Sequence, residues 1–136
     1  MSTSRHAVQE QVRLLLEPHK GARQLDIFPE DSSVYQEVHL RSKTGALLVS
    51  YAGGRRVRGD ERTPGRSFAL DVVVLARRRE GDAGALATLS VIEDALDGAR
   101  FALDGVSYQV VYEADRFVDH EESVWHYVVR VSCTTL

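Results

Sequence analysis

Residues 68–75 constrain the fold more than any other segment, because they form a run that is apolar on both faces of an extended chain. Such a strand lies in the middle of a sheet whose two faces are both covered. The run therefore predicts a central strand at about 67–77, preceded along the chain by an apolar strand at about 46–51. Its two faces consist of Phe68, Leu70, Val72 and Val74, and of Ala69, Val73 and Leu75.

A fifteen-residue break, residues 52–66, separates these two strands. A hairpin needs only about two to five residues between its strands, so the break is longer than the connection requires. It holds five of the fifteen arginines of the chain, and Asp60 and Glu61 are its only acidic residues. We therefore predict a long exposed loop at 52–66 that contacts a partner.

The N-terminal part of the chain predicts a helix, because apolar residues recur there at helical spacing and form a stripe. Residues 2–4 offer possible N-caps, and Pro18 ends the helix. The stripe consists of Val8, Val12, Leu15 and Leu16. A short strand is expected at about 24–28, closed by Pro29. Residues 31–41 start with a capping box, which favours a helix, but they also alternate as a strand does, so both structures stay open.

A further helix is predicted at about 83–97, with Asp82 as its N-cap and Gly98 at its C-terminal end. The side chains expected on its inner face are Leu86, Leu89, Ile92 and Leu96. The helix would pack on the sheet through this apolar stripe.

The C-terminal part of the chain predicts antiparallel strands. Asp104 and Gly105 form a two-residue hairpin signal between apolar runs. The acidic residues 113–123 are expected to form a second long connection, before a last strand at about 124–134. The whole pattern predicts an α+β fold, with a mixed, mostly antiparallel sheet and two to three packed helices in a single domain of residues 1–136.

Charge is divided unequally along the chain. Residues 1–79 hold fourteen Lys and Arg against nine Asp and Glu, whereas residues 80–136 hold three against eleven. Surfaces of opposite sign on one subunit suit a head-to-tail contact, which closes into a ring when the rotation allows it. The alternative is that both sets of charges are solvated and interleave in space.

The residues offer no catalytic or metal-binding pattern, so we expect no enzyme activity, no metal and no cofactor. Cys133 stands alone in a strand pattern, where a small buried hydrophobe is expected. His120 and His126 could meet Asp119 or Glu121, but their spacing lacks the tight pairs of zinc motifs.

The arginine-rich loop raises the possibility of nucleic-acid binding, but the chain is acidic overall and the loop contains no aromatic residue. We interpret the arginines as one side of a protein–protein contact, since a guanidinium pairs well with carboxylates. The chain has no apolar run long enough to span a bilayer, and its start is polar and charged, so no membrane partner is expected.

Several short sequence segments follow one another in a characteristic order. They are an N-terminal amphipathic helix, ALLVSYAGG, the polar loop, SFALDVVVLARR, a Gly-x-x-Gly-Ala-Leu helix opening, a turn at Gly105 and the closing HYVVRVSC. In this order the chain resembles the tail-terminator, or tail-completion, proteins of contractile phages, Mu-like prophages and R-type pyocins. The resemblance covers nearly the whole chain and implies a tail-terminator-like mixed α/β fold.

That resemblance also implies a non-enzymatic function. Such proteins form a ring, usually a hexamer, that caps the tail tube, ends its polymerisation and meets the head or collar. The implied partners are other copies of the chain, tail tube and sheath proteins, and a head-connector or collar protein, with DNA as a passenger through the ring. The protein would then assemble in the bacterial cytoplasm and reside in the virion or phage-like tail particle.

Two other functions stay open. One is a head–tail connector or sheath-associated neck protein, which would differ in its partner. The other is a small α+β ligand-binding or enzymatic domain, which would need a deep apolar pocket with convergent polar groups.

The charge division motivates a hypothesis about the interface. We expect the loop arginines to contact a neighbouring subunit or ring, with carboxylates of the second half as acceptors. The donors are Arg55, Arg56, Arg58 and Arg62, and the acceptors are Asp115, Asp119, Glu121 and Glu122. An alternative placement points the loop into the central channel, toward DNA or a length-measuring protein.

Overall fold

The computed structural model describes residues 4–19, 25–29, 45–57, 65–82 and 84–136. Within them, six strands form one sheet in the order β1-β2-β3-β6-β5-β4. β1 runs parallel to β2, and every other neighbouring pair is antiparallel. The strands are β1 (Leu25–Pro29), β2 (Gly45–Val57), β3 (Gly65–Ala76), β4 (Arg100–Leu103), β5 (Val106–Glu121) and β6 (Val124–Thr135).

Two helices pack on one face of this sheet, which we call the helix face. They are α1 (Arg5–Leu16), followed by a 3₁₀ turn (Glu17–His19), and α2 (Ala85–Leu96). The predicted α+β fold with a mostly antiparallel sheet is therefore confirmed. The segment at 31–41, left open between helix and strand, lies outside the described residues.

Helix α1 forms as its sequence predicts. The Ser4 hydroxyl accepts a hydrogen bond from the backbone N–H of Ala7 and so caps the helix start. Val8, Val12 and Leu16 are buried in the core between α1 and the sheet. The apolar stripe thus positions α1 across β2 and β3.

Helix α2 starts later than predicted, with Gly84 and not Asp82 at the N-cap. A Cβ at position 84 would collide with the backbone carbonyls of Arg79 and Glu80, so the glycine lets the chain turn tightly into the helix. The predicted inner face is confirmed at Leu89, Ile92 and Leu96. Leu86, expected inside, is 38 % exposed, and the buried set is Ala85, Thr88, Leu89, Ile92 and Leu96.

The central position of β3 is confirmed, since it pairs with β2 on one side and β6 on the other. Its residues on the helix face are fully buried from Phe68 to Ala76. On the opposite face, which we call the second face, the burial is uneven. Leu75 is buried in a separate cluster, whereas Ala69 and Val73 are half-buried.

Strands β2 and β3 extend into the predicted loop. Residues 52–57 continue β2, and residues 65–66 already belong to β3. A β-bulge between Tyr51 and Gly53 shifts the register and lets pairing continue past it. A Cβ on Gly54 would lie 2.6 Å from the Tyr51 hydroxyl, so a larger residue there would require the Tyr51 side chain to move. Residues 58–64 lie outside the described residues.

The predicted connection at 113–123 is wrong, because β5 continues to Glu121 and a two-residue turn leads into β6. Bulges at Tyr112/Ala114 and Phe117/Asp119 shift the alternation of side chains, so the strand loses its simple period of two. The turn residues Glu122 and Ser123 also lack a hairpin signature, although both have positive φ.

Neither described helix, each of twelve residues, has the length and apolar character of a membrane-spanning helix.

The hairpin predicted at Asp104 and Gly105 is confirmed, with positive φ at both residues.

The turn at Glu122 and Ser123 generates a stability prediction. Ser123 has φ 62°, a conformation that glycine adopts without steric cost, so Ser123→Gly is expected to stabilise the fold by about 0.5–1 kcal/mol. Ser107 lies in extended β5, where the same change is expected to cost about 0.5–1 kcal/mol. Urea denaturation of both variants measures the two values, and a loss of stability in both would contradict the turn conformation.

Candidate assembly interface

The two long hairpins of the sheet extend in opposite directions. β3 pairs with β6 from Ser67 opposite Thr134 to Ala76 opposite Trp125. The β2–β3 hairpin continues beyond the first of these pairs, and the β5–β6 hairpin continues beyond the second. At about 3.3 Å per residue, the ten steps from Arg66 to Ala76 span about 33 Å.

One end of the sheet carries three strand arginines, the exposed Arg55 and Arg56 and the half-buried Arg66, and we call these three residues the arginine end. Arg56 lies directly opposite Arg66 in the β2–β3 ladder. Like charges at such positions destabilise a strand pair, so this pairing has a cost within the isolated chain. Arg56 shares the helix face with Phe68, whereas Arg55 lies opposite Ser67 on the second face. Arg58 and Arg62 lie outside the described residues.

The four predicted acceptors lie on the segment that we call the acidic hairpin, residues 113–124. Asp119, Glu121 and Glu122 lie at the other end of the sheet, whereas Asp115 pairs with Val129, which lies opposite Val72 in the middle of β3. Asp115 accepts a hydrogen bond of 2.6 Å from the Tyr112 hydroxyl. Burial, and then this bond, raise the pKa of Tyr112 well above its usual value. An Asp119 oxygen lies 3.6 Å from Nδ1 of His126. Glu121 and Glu122 are exposed at the turn.

The structure therefore brings the four acids together on one hairpin but does not bring them to the arginines. The two charged ends lie at opposite ends of the same sheet, more than a Debye length apart. Two of the acids, Asp115 and Asp119, already have partners within the chain. Glu121 and Glu122 are consequently the acceptors most available to a neighbour.

An aromatic cluster that was not predicted from the sequence lies where β5 pairs with β6. We use the name aromatic cluster for Phe117, His120, Trp125 and Tyr127. The Phe117 ring lies 5.5 Å from Tyr127 and 6.2 Å from Trp125, measured between centroids. His120 stacks on Trp125 at 3.9 Å with the two rings nearly parallel. Phe117 is 52 % exposed. In the sequence, the cluster could be recognised only from an alternation of large residues along the strand, and the two bulges of β5 interrupt that alternation.

The same hairpin separates the two histidines that a metal site would need. His120 lies opposite Trp125 on the helix face, while His126 lies opposite Leu75 on the second face. Within the described ranges, no group of three or more metal-binding side chains comes together. The alternation of side chains along the strands therefore places the two histidines on opposite faces of the sheet.

A model of the Gp37 protein family matches residues 13–136. No curated protein matches the chain. Among solved structures, a chain from a structure described as the virion of a native gene transfer agent (GTA) particle has a TM-score of 0.66 and 15 % sequence identity. The alignment covers 93 % of this chain and 92 % of that chain. At this identity the likeness shows a shared fold.

Cys133 provides a test of the catalytic alternative. Its side chain is fully buried, and burial raises its thiol pKa to about 12, so almost no thiolate forms at neutral pH. We expect a thiol reagent to leave the folded protein unlabelled at pH 8 and to label it fully in guanidinium chloride. Fast labelling of the folded protein would indicate an accessible thiolate and revive a role as nucleophile.

Proposed function

This chain belongs to the Gp37 protein family, and we propose that it is a structural protein of a phage or phage-derived particle. Its fold is shared with a chain from the virion of a gene transfer agent particle, which supports a place in a virion. A non-enzymatic role is part of the proposal.

The observation that carries the proposal is that the arginine end and the carboxylates Asp119, Glu121 and Glu122 lie at opposite ends of one sheet, with Arg77, Arg78 and Arg79 after β3 at the acidic end. A subunit with two different complementary surfaces forms heterologous contacts, and these generate rings or stacks. Arg55, Arg56 and Arg66 cannot pair with Glu121 or Glu122 of their own chain, because about 33 Å of paired strand separates them. A neighbouring copy or ring can supply the missing partner.

We propose more specifically that the chain forms a ring, a hexamer by its resemblance to tail terminators, on the end of a tail tube. There it ends tube polymerisation and meets the head or collar. In this ring the arginine end, together with Arg58 and Arg62, faces the acidic hairpin of a neighbour. Glu121 and Glu122 are the main acceptors, because Asp115 and Asp119 are partly engaged.

Removing the gene from a particle-producing strain tests the role directly. Without a cap, nothing stops the polymerising tube, so electron microscopy is expected to show tails of irregular and excessive length. A head–tail connector or neck protein would instead leave tails of normal length that are detached from heads. Particles of normal length and attachment would contradict both functions.

Charge reversal tests the interface. Arg56→Glu places a carboxylate at the arginine end and is expected to weaken self-association by about tenfold or more, since it both removes an attraction and adds a repulsion. Sedimentation velocity over a concentration series measures the change.

Arg100→Glu is the matched control, because Arg100 is also an exposed strand arginine but lies on the edge strand β4, four strand positions from β2, and on the second face. It is expected to change self-association little. Combining Arg56→Glu with Glu121→Arg is expected to restore part of the loss. Equal effects of Arg56→Glu and Arg100→Glu would contradict the assignment of this surface.

A further inference from the structure

We propose that the aromatic cluster is the apolar anchor of the contact between copies, and that it receives the arginine end of a second copy of this chain. The inference rests on the proposed function, since it takes the copies to assemble through opposite ends of their sheets. The aromatic cluster would add an apolar contact to the pairing of opposite charges.

The cluster presents one exposed ring on a rigid base. Tyr127 is buried, and Trp125 contacts both the stacked ring of His120 and the guanidinium of Arg79, whose central carbon lies 5.8 Å from the Trp125 ring centroid. Phe117 packs edge-on against Tyr127 and is the exposed member. An aromatic ring held in this way loses little freedom on docking, as the anchors of protein interfaces do.

Charge around the ring selects the occupant. Residues 113–123 contain five carboxylates, and Arg116 is the only basic residue among them apart from a histidine. The register places Asp115 on the helix face with Phe117 and Glu122 at the turn, whereas Asp119 and Glu121 lie on the second face. An exposed ring beside these carboxylates fits a partner that brings guanidinium groups, which pair with carboxylates and stack on aromatic faces. The arginine end offers Arg56 and Arg66 side by side on one face.

Arg79 shows that the cluster accepts a guanidinium. Besides lying over Trp125, it directs Nε to the Tyr127 hydroxyl at 3.4 Å and pairs with Glu80. Arg77 and Arg78 follow β3 at this end too, but the acids lie on β5 and its turn, with β6 between. On β5, the carboxylate that shares the helix face with Phe117 is that of Asp115, and Glu122 follows at the turn.

A second copy is the occupant that completes both surfaces at once. Each chain has one acidic aromatic end and one arginine end, so the contact repeats with the same pair of surfaces from copy to copy. It would also offset the repulsion between Arg56 and Arg66, which no cross-strand carboxylate relieves in their ladder pair.

Removal of the exposed ring tests the anchor. Phe117→Ser is expected to weaken self-association by about tenfold or more in sedimentation velocity, as loss of an interface anchor does. Val111→Ser is the matched control, because Val111 is 40 % exposed on the same strand but lies opposite Ser132 on the second face. It is expected to change association by less than about threefold.

Cross-linking tests the pairing without removing the anchor. A mixture of Arg56→Cys and Glu122→Cys proteins, treated with a short bis-maleimide, is expected to give dimers that contain one copy of each. The native Cys133 is buried and does not compete. Efficient cross-linking of Glu122→Cys with itself, or none in the mixture, would overturn the head-to-tail contact.

The outcomes separate this inference from the proposed function. Equal effects of Phe117→Ser and Val111→Ser, or a wild-type chain that stays monomeric at the highest concentration, would overturn the anchor even if gene removal gives over-long tails. Conversely, normal tails after gene removal, with a specific Phe117→Ser effect and mixed cross-links, would overturn the function and support the contact.

Discussion

The burial of β3 against the two helices is the constraint on which the rest of the structure depends. Leu70, Val72 and Val74 are fully buried on the helix face, under residues of α1 and α2. Because strand register is fixed wherever one face is buried, this packing sets how β2 and β6 pair with β3. The two hairpins then extend from opposite ends of the sheet, and the charged surfaces take their positions from that geometry.

The fold could be predicted where hydrophobic spacing and turn chemistry agree. Helix α1, central β3 and the turn at Asp104 and Gly105 all follow rules that act within a few residues. The predictions from the sequence were wrong where β-bulges occur. Each bulge moves following side chains to the other face, so a continuous strand looks like a broken pattern, as at residues 52–57 and 113–121.

The candidate site was predictable in composition but not in arrangement. Counting charges located the basic and acidic surfaces, yet only the register shows that Arg56 and Glu121 lie at opposite ends of the sheet. Asp115 accepts from Tyr112 across a bulge of its own strand, and Asp119 pairs with His126 of the neighbouring strand, so both contacts depend on the register. Phe117 was hidden for the same reason, since it joins Trp125 and Tyr127 only once β5 pairs with β6.

Charge and aromatic anchoring have different roles in such a contact. An exposed ion pair contributes only about 0–1 kcal/mol, so pairs between Arg56 and Glu121 or Glu122 would orient two copies without holding them firmly. A preorganised ring such as Phe117 can contribute about 2 kcal/mol or more when a partner covers it. Opposite charges then set the approach and exclude like ends, while the ring sets how long the copies stay together.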